Sequence, residues 1–172
     1  MAETTIYTIG HGRKKTEDFL RELKAFGIQY LMDVRSKPFS RWNPQFNRNQ
    51  LELTLHENGI RYVFAGDSLG GRPEDRGFYD AEGKVRYDLL KEQEFFKAGL
   101  QRLIDASAKK IPLAIMCSET KPEMCHRCRL IGQELLKHHI SVQHIVSDKL
   151  VKSQETVMLE ANKGKGGELF DF

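Results

Sequence analysis

The sequence predicts an α/β fold: a single domain built on a mostly parallel, Rossmann-like sheet covered on both faces by helices. Two observations predict it. Short β-rich runs alternate along the chain with segments whose apolar residues recur at helical spacing. The strand exits are also polar, and right-handed crossovers would bring them to one edge of the sheet. Residues 1–150 are expected to form this domain. Residues 151–172 are expected to be a C-terminal extension, packed on it or partly flexible.

The elements follow in order. Thr5–Ile9 is a short strand closed by Gly10-His11-Gly12. Phe19, Leu20, Leu23 and Phe26 give a helix over Glu17–Phe26 one buried face. Thr16 stands before it, without the acidic residue that a capping box needs, and Gly27 ends it. Ile28–Val34 is a second strand, with Asp33, Arg35 and Ser36 at its exit. Lys37–Phe46 is a polar, aromatic loop. Leu51 and Leu55 mark a helix over Asn49–Asn58, stopped by Gly59, and Ile60–Phe64 is a third strand. Gly66–Arg86, rich in glycine and charge, is expected to be an inserted loop. Phe95, Phe96, Leu100, Leu103 and Ile104 form the stripe of a helix over Glu92–Lys109. Ile111–Cys117 is the best central strand. Pro122 starts a helix running to about Leu136. Ser141–Val146 is the last strand, and Gln154–Ala161 a final helix.

Composition bounds the function. The chain has 172 residues, 40% of them hydrophobic, enough for one sizeable core. A net charge of +3 permits an anionic partner without demanding one. No apolar run approaches the roughly 18 residues of a membrane helix, so no membrane role is expected. No export signal is visible, and three cysteines suit a reducing cytoplasm.

Parallel sheets bind ligands at the carboxyl ends of their strands. Three exits here are polar: Gly10-His11-Gly12, Asp33-Val34-Arg35-Ser36 and Cys117-Ser118-Glu119. Cys117 is the candidate nucleophile or redox-active thiol. His11 and Glu119 are candidate proton carriers, and Asp33 would orient His11 or pair with Arg35. Arg35, Arg41, Arg72 and Arg127 are candidate anion ligands. Trp42, Phe46 and Arg48 would contact a base or a nucleic-acid strand. Cys125 and Cys128 have metal-like spacing. In a continuous helix, however, His126 points away from both, so Cys125 and Cys128 are assigned to helix packing. No metal and no cofactor is expected.

Several of these residues together resemble the domain of unknown function 488 family. The pieces are Thr8-Ile9-Gly10-His11, Asp33-Val34-Arg35-Ser36 with Pro38, Ser40 and Arg41, Asn43-Pro44 with Phe46, Leu69-Gly70-Gly71-Arg72, and Met116-Cys117-Ser118-Glu119 leading to Cys125-His126-Arg127. The resemblance covers nearly the whole chain. It implies a compact three-layer α/β domain with its polar motifs around a cleft, and it brings no established reaction. Gly12 stands where the family often has serine, and Cys128 lies outside the family pattern. The tail, with Leu169, Phe170 and Phe172, is similar to peptides that dock on a protein partner.

The expected function is a cytoplasmic, cysteine-containing enzyme acting on a phosphorylated nucleotide or nucleic acid. The alternatives are a non-catalytic nucleic-acid-binding protein and, more weakly, a metal-binding protein.

Overall fold

The computed structural model describes residues 4–163. Leu169, Phe170 and Phe172, the expected docking residues, lie outside the described residues. In chain order the elements are β1 (Thr5–Gly10), α1 (Thr16–Ala25), β2 (Tyr30–Asp33), α2 (Arg48–Glu57), β3 (Arg61–Phe64), α3 (Gly66–Leu69), α4 (Tyr87–Leu90), α5 (Glu94–Ala108), β4 (Leu113–Cys117), α6 (Gln133–Lys137), β5 (Ser141–Ser147), β6 (Leu150–Ser153) and α7 (Gln154–Lys163). The strands form one sheet in the order β3-β2-β4-β1-β5-β6. All neighbours are parallel except β5 and β6. This is the predicted α/β architecture with a mostly parallel sheet.

Side-chain alternation divides the core into two. One face packs Ile9, Leu31, Ala114 and Met116 against Phe19 and Leu23 of α1 and Leu51 and Leu55 of α2. The other packs Ile6, Met32, Leu113 and Ile115 against Phe96, Leu100 and Leu103 of α5 and Leu135 of α6. The result is three layers. Every residue of β4 is buried, which is why it reads as an unbroken apolar run, LAIMC. The chain turns after α1 at Gly27, whose φ of +68° favours glycine. Among the described residues, no helix is long and apolar enough to cross a membrane.

Two local expectations are corrected. The helix from Pro122 to Leu136 is broken. A 3-10 turn spans Pro122–Met124, Cys125 is extended at φ −123° and ψ 146°, and a π-helical turn covers Arg127–Gly132 before α6. The widened turn brings Gly132 against α7, where a Cβ would lie 2.4 Å from the Gln154 side-chain oxygen. The expected loop Gly66–Arg86 is also partly ordered into α3, a 3-10 turn at Arg76–Phe78 and a bridge between Tyr79 and Val85. The sixth strand was not foreseen. Its hairpin turns through Asp148-Lys149, without the glycine that usually announces a two-residue turn.

Candidate functional site

Strand order places the site. The chain leaves β1 towards β2 on one side of the sheet and leaves β4 towards β5 on the other. The exits of β1 and β4 therefore flank a topological switch point, where open α/β sheets form ligand crevices. Gly10 is paired with Cys117 in register. The pairing extends beyond the strands, with His11 N–H donating to Cys117 O and Gly12 N–H to Ser118 O, both at 2.9 Å. Gly10 has no Cβ to hold the exits apart, and the Glu119 carbonyl closes over it.

Cys117 sits at the floor of this crevice with Cys125 and His126. The sulfur and ring-nitrogen atoms of the three lie within 4.8 Å of one another. His126 Nδ1 is 3.8 Å from Cys117 Sγ and 3.7 Å from Cys125 Sγ. Its other nitrogen, Nε2, meets the Val34 carbonyl at 3.1 Å. A carbonyl only accepts, so Nε2 carries the proton of the neutral ring and the Nδ1 lone pair faces both sulfurs. The neighbouring Cys125 draws the Cys117 thiol well below the ordinary range, against the opposing effect of burial. Cys125 is pushed up in turn, first by Cys117 and then by burial. The first proton therefore leaves Cys117.

This trio departs from the expected helix packing of Cys125 and the outward His126. The extended backbone at Cys125 breaks the helix and turns both side chains inward. Cys128 belongs elsewhere: its Sγ contacts Met158 Sδ at 3.7 Å, and burial raises its thiol to about 11. The C-x-x-C spacing is thus incidental.

A second group lies beside it. Asp33 is fully buried and takes the Arg35 guanidinium in two hydrogen bonds, 2.9 and 2.8 Å long. It also accepts the Tyr62 hydroxyl at 2.6 Å. Burial and this bond raise the Tyr62 hydroxyl well above its usual value. Arg35 donates further to Phe46 O and to His11 Nε2. Four of its five N–H groups are thereby used, leaving one for a ligand. His11 donates from Nδ1 to Gly12 O and stacks on Phe46 with centroids 4.5 Å apart. Burial lowers His11 to about 4, with the Arg35 charge adding to the effect. Both ring nitrogens are engaged, so His11 is built to position Arg35 and the β1 exit.

Arg127 is fully buried. It donates to Thr8 Oγ1, Glu119 O and Thr120 O, all within the protein. The expectation that it clamps a ligand anion is corrected: its donors hold the loop after Cys117. Thr8 Oγ1 lies 2.6 Å from His144 Nδ1, and His144 Nε2 lies 2.7 Å from Gln154 Oε1. A buried chain of polar contacts thus runs from α7 to the cleft loop.

The cleft encloses about 1220 Å³. Its wall carries Arg13, Arg35, Lys37, Arg41, Arg72 and Arg76 against the carboxylates Glu74 and Glu119. Phe39 and Trp42 line it at 72% and 81% exposure. Among the predicted residues, Cys117, Glu119, His11, Arg35, Arg41, Arg72 and Trp42 therefore converge. Three do not. Asp33 lies behind Arg35 with its oxygens occupied. Phe46 is buried beneath His11 and offers no face to a base. Arg48 stacks on Phe64, 4.3 Å from the ring centroid, outside the cleft lining. Sequence reasoning turned His126 away from the site and missed Arg13, Lys37 and Arg76. The Gly70-Gly71 pair was a usable signal for His126, since a Cβ at Gly71 would lie 2.6 Å from its ring.

The family model described as Domain of unknown function DUF488 matches residues 15–133. The chain belongs to that family. The DUF488 match spans Asp33, Arg35, the Gly70-Gly71 pair, Cys117 and Cys125 through Arg127, so most of the cleft lies within it. No curated protein and no solved structure matches the chain.

Proposed function

We propose that the protein is an enzyme whose Cys117 attacks the phosphorus of a phosphorylated nucleotide or nucleic-acid strand held in the basic cleft, breaking a P–O bond whose oxygen leaves with the proton His126 took from the thiol, after which water releases the phosphoryl group from Cys117. One observation carries this reading: a thiol facing the imidazole lone pair of His126 lies at the floor of a cleft walled by arginines and rimmed by exposed aromatic rings. Arginines suit phosphate oxygens, and an exposed indole suits a base face. In this scheme His126 Nδ1 takes the Cys117 proton, Arg35, Arg41 and Arg72 hold the anion, and His11 fixes Arg35. The three free cysteines suit a reducing compartment such as the cytoplasm.

Alkylation tests the nucleophile. In native, reduced, metal-free protein, iodoacetamide is expected to label Cys117 before Cys125 or Cys128. Nucleoside triphosphate or a 5′-phosphorylated single-stranded oligonucleotide is expected to slow that labelling at least tenfold. The C117S variant is expected to retain binding and lose turnover. A Cys117 that stays unlabelled while the protein is folded would reject the reading.

The exposed Phe39, Trp42 and Arg41 also favour non-catalytic strand binding as a second reading. On either reading, Trp42→Ala should weaken binding of a single-stranded oligonucleotide by about 1–3 kcal/mol, read by fluorescence anisotropy over a salt series. The two part at turnover, which a cleft that only binds does not show even with Cys117 in place.

A further inference from the structure

We propose that Cys117, Cys125 and His126 form a site for a thiophilic divalent cation, zinc above all, with its fourth coordination position open to the cleft. The argument begins with distances. Zinc bonds thiolate sulfur at about 2.3 Å and imidazole nitrogen at about 2.0–2.1 Å in tetrahedral sites. Those lengths place neighbouring sulfur and nitrogen ligands about 3.6 Å apart and two sulfurs about 3.8 Å apart. The two sulfur–nitrogen separations here are 3.8 and 3.7 Å. All three donor atoms already converge, so an ion needs only small side-chain adjustments to be seated.

The surrounding groups fit the same role. A histidine ligand ordinarily gives its second N–H to a carbonyl or carboxylate, which fixes the tautomer and the ring plane. His126 does so to Val34 O. Gly71 lies against the ring at Cγ and Nδ1, where any Cβ would displace it. Charge also balances: two thiolates and one divalent cation sum to zero, which suits a buried position better than an unpaired thiolate does. Two cysteines and one histidine leave one place for water or a substrate atom, the ligand count of an open zinc site. Cys117 faces the cleft, so that place faces it too.

This site requires only the three side chains and does not depend on the reaction proposed above. Where that reaction holds, zinc and substrate compete for one sulfur, and the zinc-loaded chain is its blocked form.

The test uses the full, reduced chain freed of metal by a chelator. Zinc is titrated against a chromophoric indicator, and cobalt(II) is added separately as a spectroscopic probe. One ion per chain is expected, with cobalt giving thiolate charge-transfer absorption and the visible bands of tetrahedral coordination. C117S, C125S and H126A should each weaken zinc binding at least tenfold, and C128S should leave it unchanged. Because one variant could unfold, circular dichroism accompanies each, and the cobalt spectrum of the unaltered chain stands independently of them. No bound zinc, an octahedral cobalt spectrum, or full affinity in C125S would overturn the site. Alkylation of the metal-free chain reads the nucleophile separately, so either idea can fail alone.

Discussion

Replacing Gly10 with alanine is expected to lower the free energy of unfolding by about 4 kcal/mol or more, among the largest effects a single methyl group can have. The added Cβ would lie 2.0 Å from the Glu119 carbonyl oxygen, 2.7 Å from its carbon and 2.8 Å from Thr120 Cα. All three are backbone atoms, so no rotamer change relieves the clash. The loop they belong to is held by Arg127, whose guanidinium is itself buried. Relief must come from separating the exits of β1 and β4, which breaks the hydrogen bond from His11 to Cys117. Gly27→Ala is the comparison. Nothing lies within 4 Å of the added methyl there, and only the φ of +68° opposes it. That substitution should cost about 1–2 kcal/mol. Urea denaturation of the two variants measures the difference, and equal midpoints would contradict the close approach at Gly10.

Acid is expected to destabilise the fold through His144, with His11 acting in the same direction. Burial lowers each to about 4, from an ordinary 6.5. Between those values the unfolded chain binds protons that the folded chain refuses, so stability falls as pH falls. Above about 6.5 both states are neutral and the contribution is flat; below about 4 the loss is complete. A shift of that size corresponds to about 3 kcal/mol for one histidine. His144 is the cleaner case because it is fully buried and both ring nitrogens are occupied, by Thr8 and Gln154. Protonating Nδ1 would place a donor where the ring must accept from Thr8, in the field of the Arg127 cation. Denaturation at pH 7 and pH 4.5 should show the loss, and H144Q should flatten the dependence.

The parallel sheet was legible because strands and helices alternate along the chain with distinct apolar periods. The polar exits Gly10-His11, Asp33-Val34-Arg35-Ser36 and Cys117-Ser118-Glu119 were legible for a related reason, since each follows a buried strand. The roles of individual residues were less so. Asp33, Phe46 and Arg127 carry the residue types of a binding site, but tertiary contacts consume their polar atoms or bury their faces. Periodicity cannot report that competition. The Cys125–His126 contribution was hidden by a single extended residue inside an otherwise helical pattern. One backbone angle there redirects two side chains, and apolar spacing averages over it.

The place of β1 bears on how the chain can be divided. The family match begins at residue 15, after this strand, and ends at residue 133, before β5. Yet β1 lies between β4 and β5 and is hydrogen-bonded to both. A polypeptide cut to the matched segment would keep Cys117, Cys125 and His126 while exposing the flank of β4, a wholly apolar strand, as an open sheet edge. Such edges recruit other chains. Boundaries drawn by similarity would yield an aggregate, whereas boundaries drawn by backbone pairing begin at Thr5.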